Sequence, residues 1–317
     1  MTALLTTVGR KVGFFLAVLA GVSFAILVLG RMVPGDAIDQ LTDDPTVRAA
    51  MVSELGLDRS LISQYFAWWA KALQGDLGES WVIRLGEPVL HLIGPAVEKS
   101  LSLILPALVV SFGSSWILLA FFRFDGLRAL KGPVRLLVHA VSVLPLFLLG
   151  DLLMFTLNSR LYPLIEAGTL SRPAWFALPG EEHWFKYALA VLVLSLGNGL
   201  LSDLLIHLDE EVEALREREF ILSAWSRGAA PGRHLALNLV VPVFTLMANK
   251  LTFLMGGIVV VETVFNINGI GSMIWRAANV RDIPVVIGIT FFLSFWVAVV
   301  RLVSDLLQVA IDPRVRS

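Results

Sequence analysis

The amino-acid sequence predicts an all-α membrane protein with about six transmembrane helices. Of its 317 residues, 56% are hydrophobic and only 16% are charged, whereas soluble domains carry about 25% charged residues. The mean hydropathy is +0.78, and the charged residues lie in clusters between long apolar runs. These runs are continuous and do not alternate with the period of two that a membrane β-barrel requires, so helices are the predicted spanning elements.

Six segments have the length and composition of membrane spans, which need about 20 mostly apolar residues. They are residues 10–30, 100–122, 134–157, 186–208, 236–261 and 283–308. Its apolar run, Val12 to Gly30, follows Arg10-Lys11 and is longer than the apolar part of a secretory signal, which has about 7–15 residues. We therefore expect the first segment to be a retained span.

The connection from Arg123 to Arg135 predicts the orientation of these spans. It contains four basic residues and one acidic residue, and short cytoplasmic loops of membrane proteins are rich in lysine and arginine. With six spans, both termini and the 209–235 loop are then cytoplasmic. The predicted organisation is an N-terminal span, an external segment and a transmembrane core, in residues 1–30, 31–99 and 100–317.

The predicted external segment contains a short amphipathic helix. Five large side chains share one face of it, those of Leu61, Tyr65, Trp68, Trp69 and Leu73. We expect this face to pack on the membrane surface or on the spans, with direct contact to a ligand as the alternative.

The sequence lacks the motifs of catalytic and metal sites. No Gly-Lys pair occurs, so the phosphate-binding loop of an ATPase is missing. The chain has no cysteine, and its five histidines do not have the spacing of metal ligands. The net charge of −1 gives no indication of a nucleic acid partner. We therefore predict no catalytic residue and no metal, and any uphill transport would need energy from another subunit.

The 209–235 loop has the features of a partner-binding segment. Residues 213–227 predict a helix, and Phe220, Ala224 and Gly228 follow one another at intervals of four. One face of that helix therefore carries progressively smaller residues, which allows it to enter a groove of another protein. A helix that lies on the bilayer surface fits the same residues equally well.

This loop resembles the EAA loop of bacterial ABC-importer permeases, in which it is the coupling helix that docks on the ATPase. The similarity rests on Glu219-Phe-Ile-x-x-Ala224-x-x-x-Gly228, followed by His234 and Val241-Pro242. Other motifs are similar to those of the dipeptide, oligopeptide and nickel permeases: Arg31-Met-Val-Pro-Gly-Asp36, Glu54-Leu-Gly-Leu-Asp58, Gly75-Asp-Leu-Gly-Glu-Ser80, Pro145-Leu-Phe-Leu-Leu-Gly150, Val261-Glu-Thr-Val-Phe265 and Arg281-Asp-Ile-Pro-Val-Val286.

The resemblance implies a type I ABC importer permease fold in the inner membrane, with no enzymatic activity in this chain. Its partners would be a second homologous permease, an extracytoplasmic solute-binding protein, and two ATPase subunits that bind ATP and Mg. The substrate would be a peptide or a similar small solute. The residues expected to couple to the ATPase are Glu219, Phe220, Ala224, Arg227 and Gly228.

The chain departs from the family pattern around this loop. The stretch from Gly228 to Pro242 is about four residues shorter than in the family, which is close to one helical turn. Leu208 is followed by Asp-Glu-Glu, where the family carries basic residues. These departures predict a different docking geometry or a different charge match with the ATPase.

Ionisable residues inside the predicted spans are candidates for the translocation path, because a charge at mid-membrane costs about 2.5–3.5 kcal/mol. The candidates singled out are Asp151, Asp203, Lys250, Arg301 and Asp305. We hypothesise that Asp203 and Lys250 face the translocation path or each other. Arg301 and Asp305 are four residues apart, and pairing or snorkelling explains them more simply. Glu262 matches a family position near the external gate.

Two other functions fit the sequence. One is an energy-independent channel or carrier, and the other is a membrane scaffold that transports nothing. An adjacent gene for an ATPase would favour the importer over the channel, and ATP-stimulated transport in reconstituted membranes would exclude the scaffold.

Overall fold

The computed structural model describes residues 2–32, 44–54, 56, 58–122, 125–170, 184–197, 199–228 and 232–311. Helices form in this part of the chain, together with one isolated bridge between Glu79 and Pro88. A 3-10 helix covers Asp125–Leu130. The α-helices among the described residues are α1 (Thr2–Met32), α2 (Pro45–Glu54), α3 (Leu61–Ala72), α4 (Val89–Phe121), α5 (Lys131–Ser142), α6 (Leu146–Glu166), α7 (Trp184–Leu196), α8 (Leu200–Arg216), α9 (Glu219–Ser226), α10 (Gly232–Val264), α11 (Ile270–Asn279) and α12 (Ile283–Ile311).

Four of the described helices are each long and apolar enough to cross a membrane. They contain the candidate spans Val12–Gly30, Val89–Phe121, Asn238–Val264 and Ile283–Ser304. Two further candidates are helix pairs: α5 and α6 are bent by 94° at a short break, and α7 and α8 by 49°. If each pair is one span, the described residues hold six, in agreement with the predicted number.

The two breaks were not predicted, because a hydropathy average over about 20 residues passes through short interruptions. Pro145 precedes α6 and has no N–H for a helical hydrogen bond. Gly197 and Gly199 lie between α7 and α8. The segments predicted as 134–157 and 186–208 are therefore bent pairs and not straight helices.

The chain divides into two compact units. The first contains Met1–Lys99 and Asn268–Leu302, and the second contains Ser100–Ile267 and Val303–Ser317. The helices α4 and α12 contribute residues to both units. The division into an N-terminal span, an external segment and a core stays a prediction.

In the first unit, α3 packs against α1 through its aromatic face. The hydroxyl of Tyr65 donates a hydrogen bond to the carbonyl of Ala20 at 2.7 Å. The indole Nε1 of Trp69 donates one to Ser23 Oγ at 3.2 Å, and its ring meets Phe291 edge-on, with the ring centroids 5.5 Å apart. Tyr65 and Trp69 therefore pack on α1 and α12 as expected, whereas Leu73 at the end of the predicted face is 78% exposed.

Asp282 is fully buried in the first unit and holds a turn together. Its carboxylate accepts a hydrogen bond from Ser80 Oγ at 2.5 Å and three more from the backbone N–H groups of Trp81, Val82 and Ile83, at 3.0–3.1 Å. A buried carboxylate is stable only when hydrogen bonds replace its lost hydration. These bonds join two of the motifs that carry the resemblance, about 200 residues apart in the sequence.

The second unit has its core between α4, α7, α8 and α10. Fully or nearly fully buried aliphatic residues from these helices meet there, among them Leu103, Val193, Leu194, Leu200, Leu204, Leu254 and Ile258. Ser111 Oγ donates to the carbonyl of Ser195 at 3.1 Å, and so ties α4 to α7. Because lipid tails are as apolar as leucine, close packing and hydrogen bonds of this kind hold membrane helices together.

Candidate functional site

The 209–235 loop contains parts of two helices where the sequence predicted one. The prediction of a single helix over residues 213–227 is wrong, because α8 ends at Arg216 and α9 begins at Glu219. A turn separates them, in which the N–H of Arg218 bonds to the carbonyl of Leu215. Ile221 of α9 is fully buried and anchors the short helix.

Three of the predicted coupling residues are exposed on α9 or just after it. Glu219, Arg227 and Gly228 are exposed, and Gly228 has a left-handed backbone with φ of 70°. The backbones of Phe220 and Ala224 belong to α9, but their side chains lie outside the described part of the chain. The shortened stretch from Gly228 to Pro242 also lies partly outside it.

The first residue of the acidic departure after Leu208 is balanced within the chain. Asp209 Oδ2 lies 3.0 Å from Lys131 Nζ and also forms an ion pair with Arg135. Both basic residues come from the start of α5, more than 70 positions away in the sequence. Sequence reasoning used them only for orientation and did not predict this cluster. Asp209 is therefore already paired inside this subunit.

Asp203 and Lys250 form an ion pair between α8 and α10. Lys250 Nζ lies 2.7 Å from Asp203 Oδ2. Asp203 lies in the first turn of α8, and its N–H bonds to the carbonyl of Gly199 at 2.8 Å. The positive end of the helix dipole favours a carboxylate at that position. The structure thus brings together the two residues that the sequence suggested would face each other, and a path-lining role for them stays a prediction.

The pair is asymmetric in exposure. The Lys250 side chain is 12% exposed, whereas that of Asp203 is 47% exposed. The ammonium group of Lys250 is therefore packed among the helices, while the carboxylate of Asp203 is partly exposed at the surface of the unit.

Glu262 is fully buried near the end of α10. It accepts a hydrogen bond from Ser100 Oγ at 2.5 Å. Of the other candidates, Asp151 and Arg301 are exposed, and the side chain of Asp305 lies outside the described part of the chain. Among the described residues, no group of three or more His, Asp or Glu is arranged to hold a metal ion.

A cavity of about 320 Å³ lies beside the break between α5 and α6. Its lining is mostly apolar and consists of Pro145, Leu146, Phe147, Phe253, Gly256, Gly257 and Val260. Sequence reasoning missed this cavity. The signals that could have indicated it are the proline at the break and the glycine pair in a span.

The chain is similar to known membrane proteins over nearly its whole length. Residues 117–317 match the family described as binding-protein-dependent transport system inner membrane component. A Sinorhizobium fredii protein named as a peptide ABC transporter permease is 30% identical over 321 residues, covering 97% of this chain and 98% of that protein. A Brucella ovis protein named as a peptide permease is 28% identical over 312 residues, covering 95% and 96%. The Escherichia coli glutathione transport system permease protein GsiC is 29% identical over 309 residues, covering 93% and 94%.

Proposed function

Because the chain belongs to the family of binding-protein-dependent transport system inner membrane components, we propose that it forms half of the translocation pathway of an ABC importer for peptides or similar small solutes. It is an inner membrane permease and not the catalytic subunit. The observation that carries the peptide class is the full-length similarity to relatives named as peptide and glutathione permeases.

The family implies an ATPase and a binding protein as partners. The complete importer would contain a second homologous permease, two ATPase subunits that bind ATP and Mg, and an extracytoplasmic solute-binding protein. The lack of a Gly-Lys pair in this chain supports a separate site of ATP hydrolysis. Dependence on a binding protein favours an importer over an energy-independent channel and over a scaffold.

Reconstitution tests this function directly. In proteoliposomes that contain the complete importer and its loaded binding protein, solute uptake is expected only with ATP. Uptake at the same rate without ATP would indicate a channel or carrier, and ATP hydrolysis with no uptake by the assembled complex would indicate a scaffold.

Both termini and the 209–235 loop would lie in the cytoplasm. The ion pair between Lys131 and Asp209 supports this orientation, since it places the basic start of α5 beside the C-terminal half of α8, which leads into the loop. The basic connection before α5 is typical of the cytoplasmic side.

Single-cysteine labelling measures this orientation, because the natural chain has no cysteine. Ser226→Cys places an exposed thiol on α9, and a membrane-impermeant maleimide is expected to label it only after the cytoplasmic side is opened. Gln74→Cys, also exposed, is the matched control and is expected to react in intact cells once the outer membrane is permeabilised. The reverse pattern would contradict the orientation.

Coupling to the ATPase would proceed through α9 and α8. Glu219, Phe220, Ala224, Arg227 and Gly228 would meet the ATPase, and the buried Ile221 would pass the movement of α9 to α8. The 17 residues of α8 extend roughly 25 Å at 1.5 Å per residue. They connect the cytoplasmic loop to Asp203 near the break. ATP-driven movement would thereby shift the equilibrium between inward-open and outward-open states.

Asp203, Lys250 and Glu262 would line or control the translocation path. The half-exposed carboxylate of Asp203 supports this role, because a charge that faced lipid at mid-span would be costly.

Neutral replacements test the Asp203–Lys250 pair. Asp203→Asn or Lys250→Gln leaves the other charge without its partner, and each is expected to lower ATP-dependent uptake at least about tenfold, equivalent to 1.4 kcal/mol. Arg301→Gln, which neutralises an exposed residue of α12, is the control and is expected to change uptake less than about twofold. If the double variant Asp203→Asn/Lys250→Gln assembled and transported normally, the pair would have no role in the path.

A further inference from the structure

The two helix breaks of the second unit meet near the middle of their spans. Residues 143–145 interrupt the pair that extends from 131 to 166, and residues 197–199 interrupt the pair from 184 to 216. Ser142 Oγ donates a hydrogen bond to the carbonyl of Leu196 at 3.3 Å, so the breaks are in contact. Irregular backbone at membrane depth occurs only inside protein or beside a water-filled cavity.

The two glycines of α10 line the cavity beside these breaks, but only one of them faces its open space. A Cβ built at Gly256 would meet no atom within 4 Å, so this position faces open space. A Cβ at Gly257 would lie 3.0 Å from Leu146 Cδ1, so Leu146 closes one wall. The volume of about 320 Å³ lies at the lower end of the range of about 300–1,000 Å³ for ligand pockets. It is enough for one side chain and not for a whole peptide.

The apolar cavity has a charged edge. Lys250 Nζ lies 5.4 Å from the ring centroid of Phe253, which lines the cavity. Lys250, Phe253 and Gly257 recur at i, i+3 and i+7 and therefore share one face of α10. Asp203, the ion-pair partner of Lys250, is 47% exposed on its side chain. A lipid chain would match the apolar wall but not this carboxylate. A peptide matches both the apolar wall and the carboxylate, because it carries apolar side chains on a backbone with charged termini.

We propose that this cavity is a specificity pocket that receives an apolar side chain of the transported peptide, while the charged groups of the peptide pass the Asp203–Lys250 pair. The inference rests on the proposed import of peptides, and it adds a selection step inside the membrane. Phe147 and Phe253 supply the aromatic walls, and the absence of a side chain at Gly256 leaves room for the side chain of the peptide.

Filling the pocket tests the proposal. Gly256→Leu places a side chain in the open volume. With the complete importer in proteoliposomes, it is expected to lower uptake of Ala-Leu-Ala at least about tenfold and of tri-alanine less than about threefold. Gly113→Leu is the matched control, because Gly113 is also a helical glycine with no atom within 4 Å of a built Cβ. It is expected to change both rates less than about twofold. Equal losses for both peptides, or no loss for either, would overturn the pocket.

A cysteine variant separates the pocket from general transport. Gly256→Cys is the only thiol of this subunit, and a charged thiosulfonate reagent is expected to modify it, with Ala-Leu-Ala slowing the reaction more than tri-alanine. An unreactive thiol, or equal protection by the two peptides, would overturn the pocket even where import is normal. If the wild-type complex imported neither tripeptide with ATP, the pocket for a peptide side chain would be overturned, whereas the proposed importer function fails only if its loaded binding protein gives no ATP-dependent uptake.

Discussion

Gly228→Asp is expected to abolish association with the ATPase while leaving the chain inserted in the membrane. Gly228 has φ of 70° at the end of α9, where an L-residue costs about 1–2 kcal/mol. The new carboxylate would also lie on the proposed docking surface, without a partner there. Affinity changes tenfold for each 1.4 kcal/mol, so we expect a loss of at least about a hundredfold from the two effects together. Co-purification of tagged ATPase with the membrane complex measures it.

The chain provides a matched control for this variant. Gly168 has φ of 69°, and a built Cβ there also meets no atom within 4 Å. In the proposed orientation it lies on the external side. Gly168→Asp therefore carries the same backbone strain and the same charge, and normal recovery of the ATPase is expected. Normal recovery with Gly228→Asp would contradict the coupling-helix assignment, and equal loss in both variants would attribute the effect to folding.

Asp282→Ala is expected to cause the largest loss of stability in the first unit. The fully buried carboxylate accepts four hydrogen bonds, one from Ser80 and three from backbone N–H groups of a single turn. Its removal leaves four donors without this acceptor, the buried Ser80 hydroxyl and three partly buried backbone N–H groups. Because each such donor costs about 1–3 kcal/mol, and relaxation and water entry recover part of this, we expect a loss of about 3–5 kcal/mol. Thermal unfolding in detergent, followed by recovery of monodisperse protein, measures the change.

Two further variants test whether the loss of stability in Asp282→Ala comes from the lost hydrogen bonds. Asp58→Ala removes an exposed carboxylate from the same unit and is expected to change stability by less than about 0.5 kcal/mol. Asp282→Asn keeps one acceptor oxygen but turns an NH₂ group toward the N–H donors, so we expect an intermediate to large loss. If Asp282→Ala unfolded at the wild-type temperature, the four hydrogen bonds would not stabilise the unit.

The Asp282 turn also explains why separate sequence motifs belong together. Residues 75–80 and residues 281–286 look independent in the sequence, yet Asp282 of the second segment accepts a hydrogen bond from Ser80 of the first and three from the turn that follows it. Both motifs supported the resemblance to permeases, but the sequence did not show that they are in contact. The reason is the buried carboxylate of Asp282, which joins the two segments. Neither segment alone supplies another acceptor for these hydrogen bonds.

The number of spans and the family were predictable from the sequence, because both depend on local information. Hydropathy adds contributions from about 20 neighbouring residues, and motifs such as Glu219–Gly228 are read in a single stretch. The turn between α8 and α9 was missed because most residues of 213–227 are strong helix formers, so the local sequence does not indicate that α8 ends at Arg216. Phe220 and Ala224 were proposed as ATPase-coupling residues from their spacing in the sequence, and their contacts with the ATPase stay predictions.

By itself, then, the sequence determined that this is a helical membrane protein of the permease family with no catalytic motif of its own. Only the tertiary structure decided that Asp203 pairs with Lys250, that Asp209 is paired by Lys131 and Arg135, and that Leu146 meets Gly257 beside an apolar cavity. The physical reason is the range of the interactions. A span forms wherever enough apolar residues are adjacent. An ion pair or a cavity depends on which helix faces pack together, and a local sequence pattern does not indicate which faces these are.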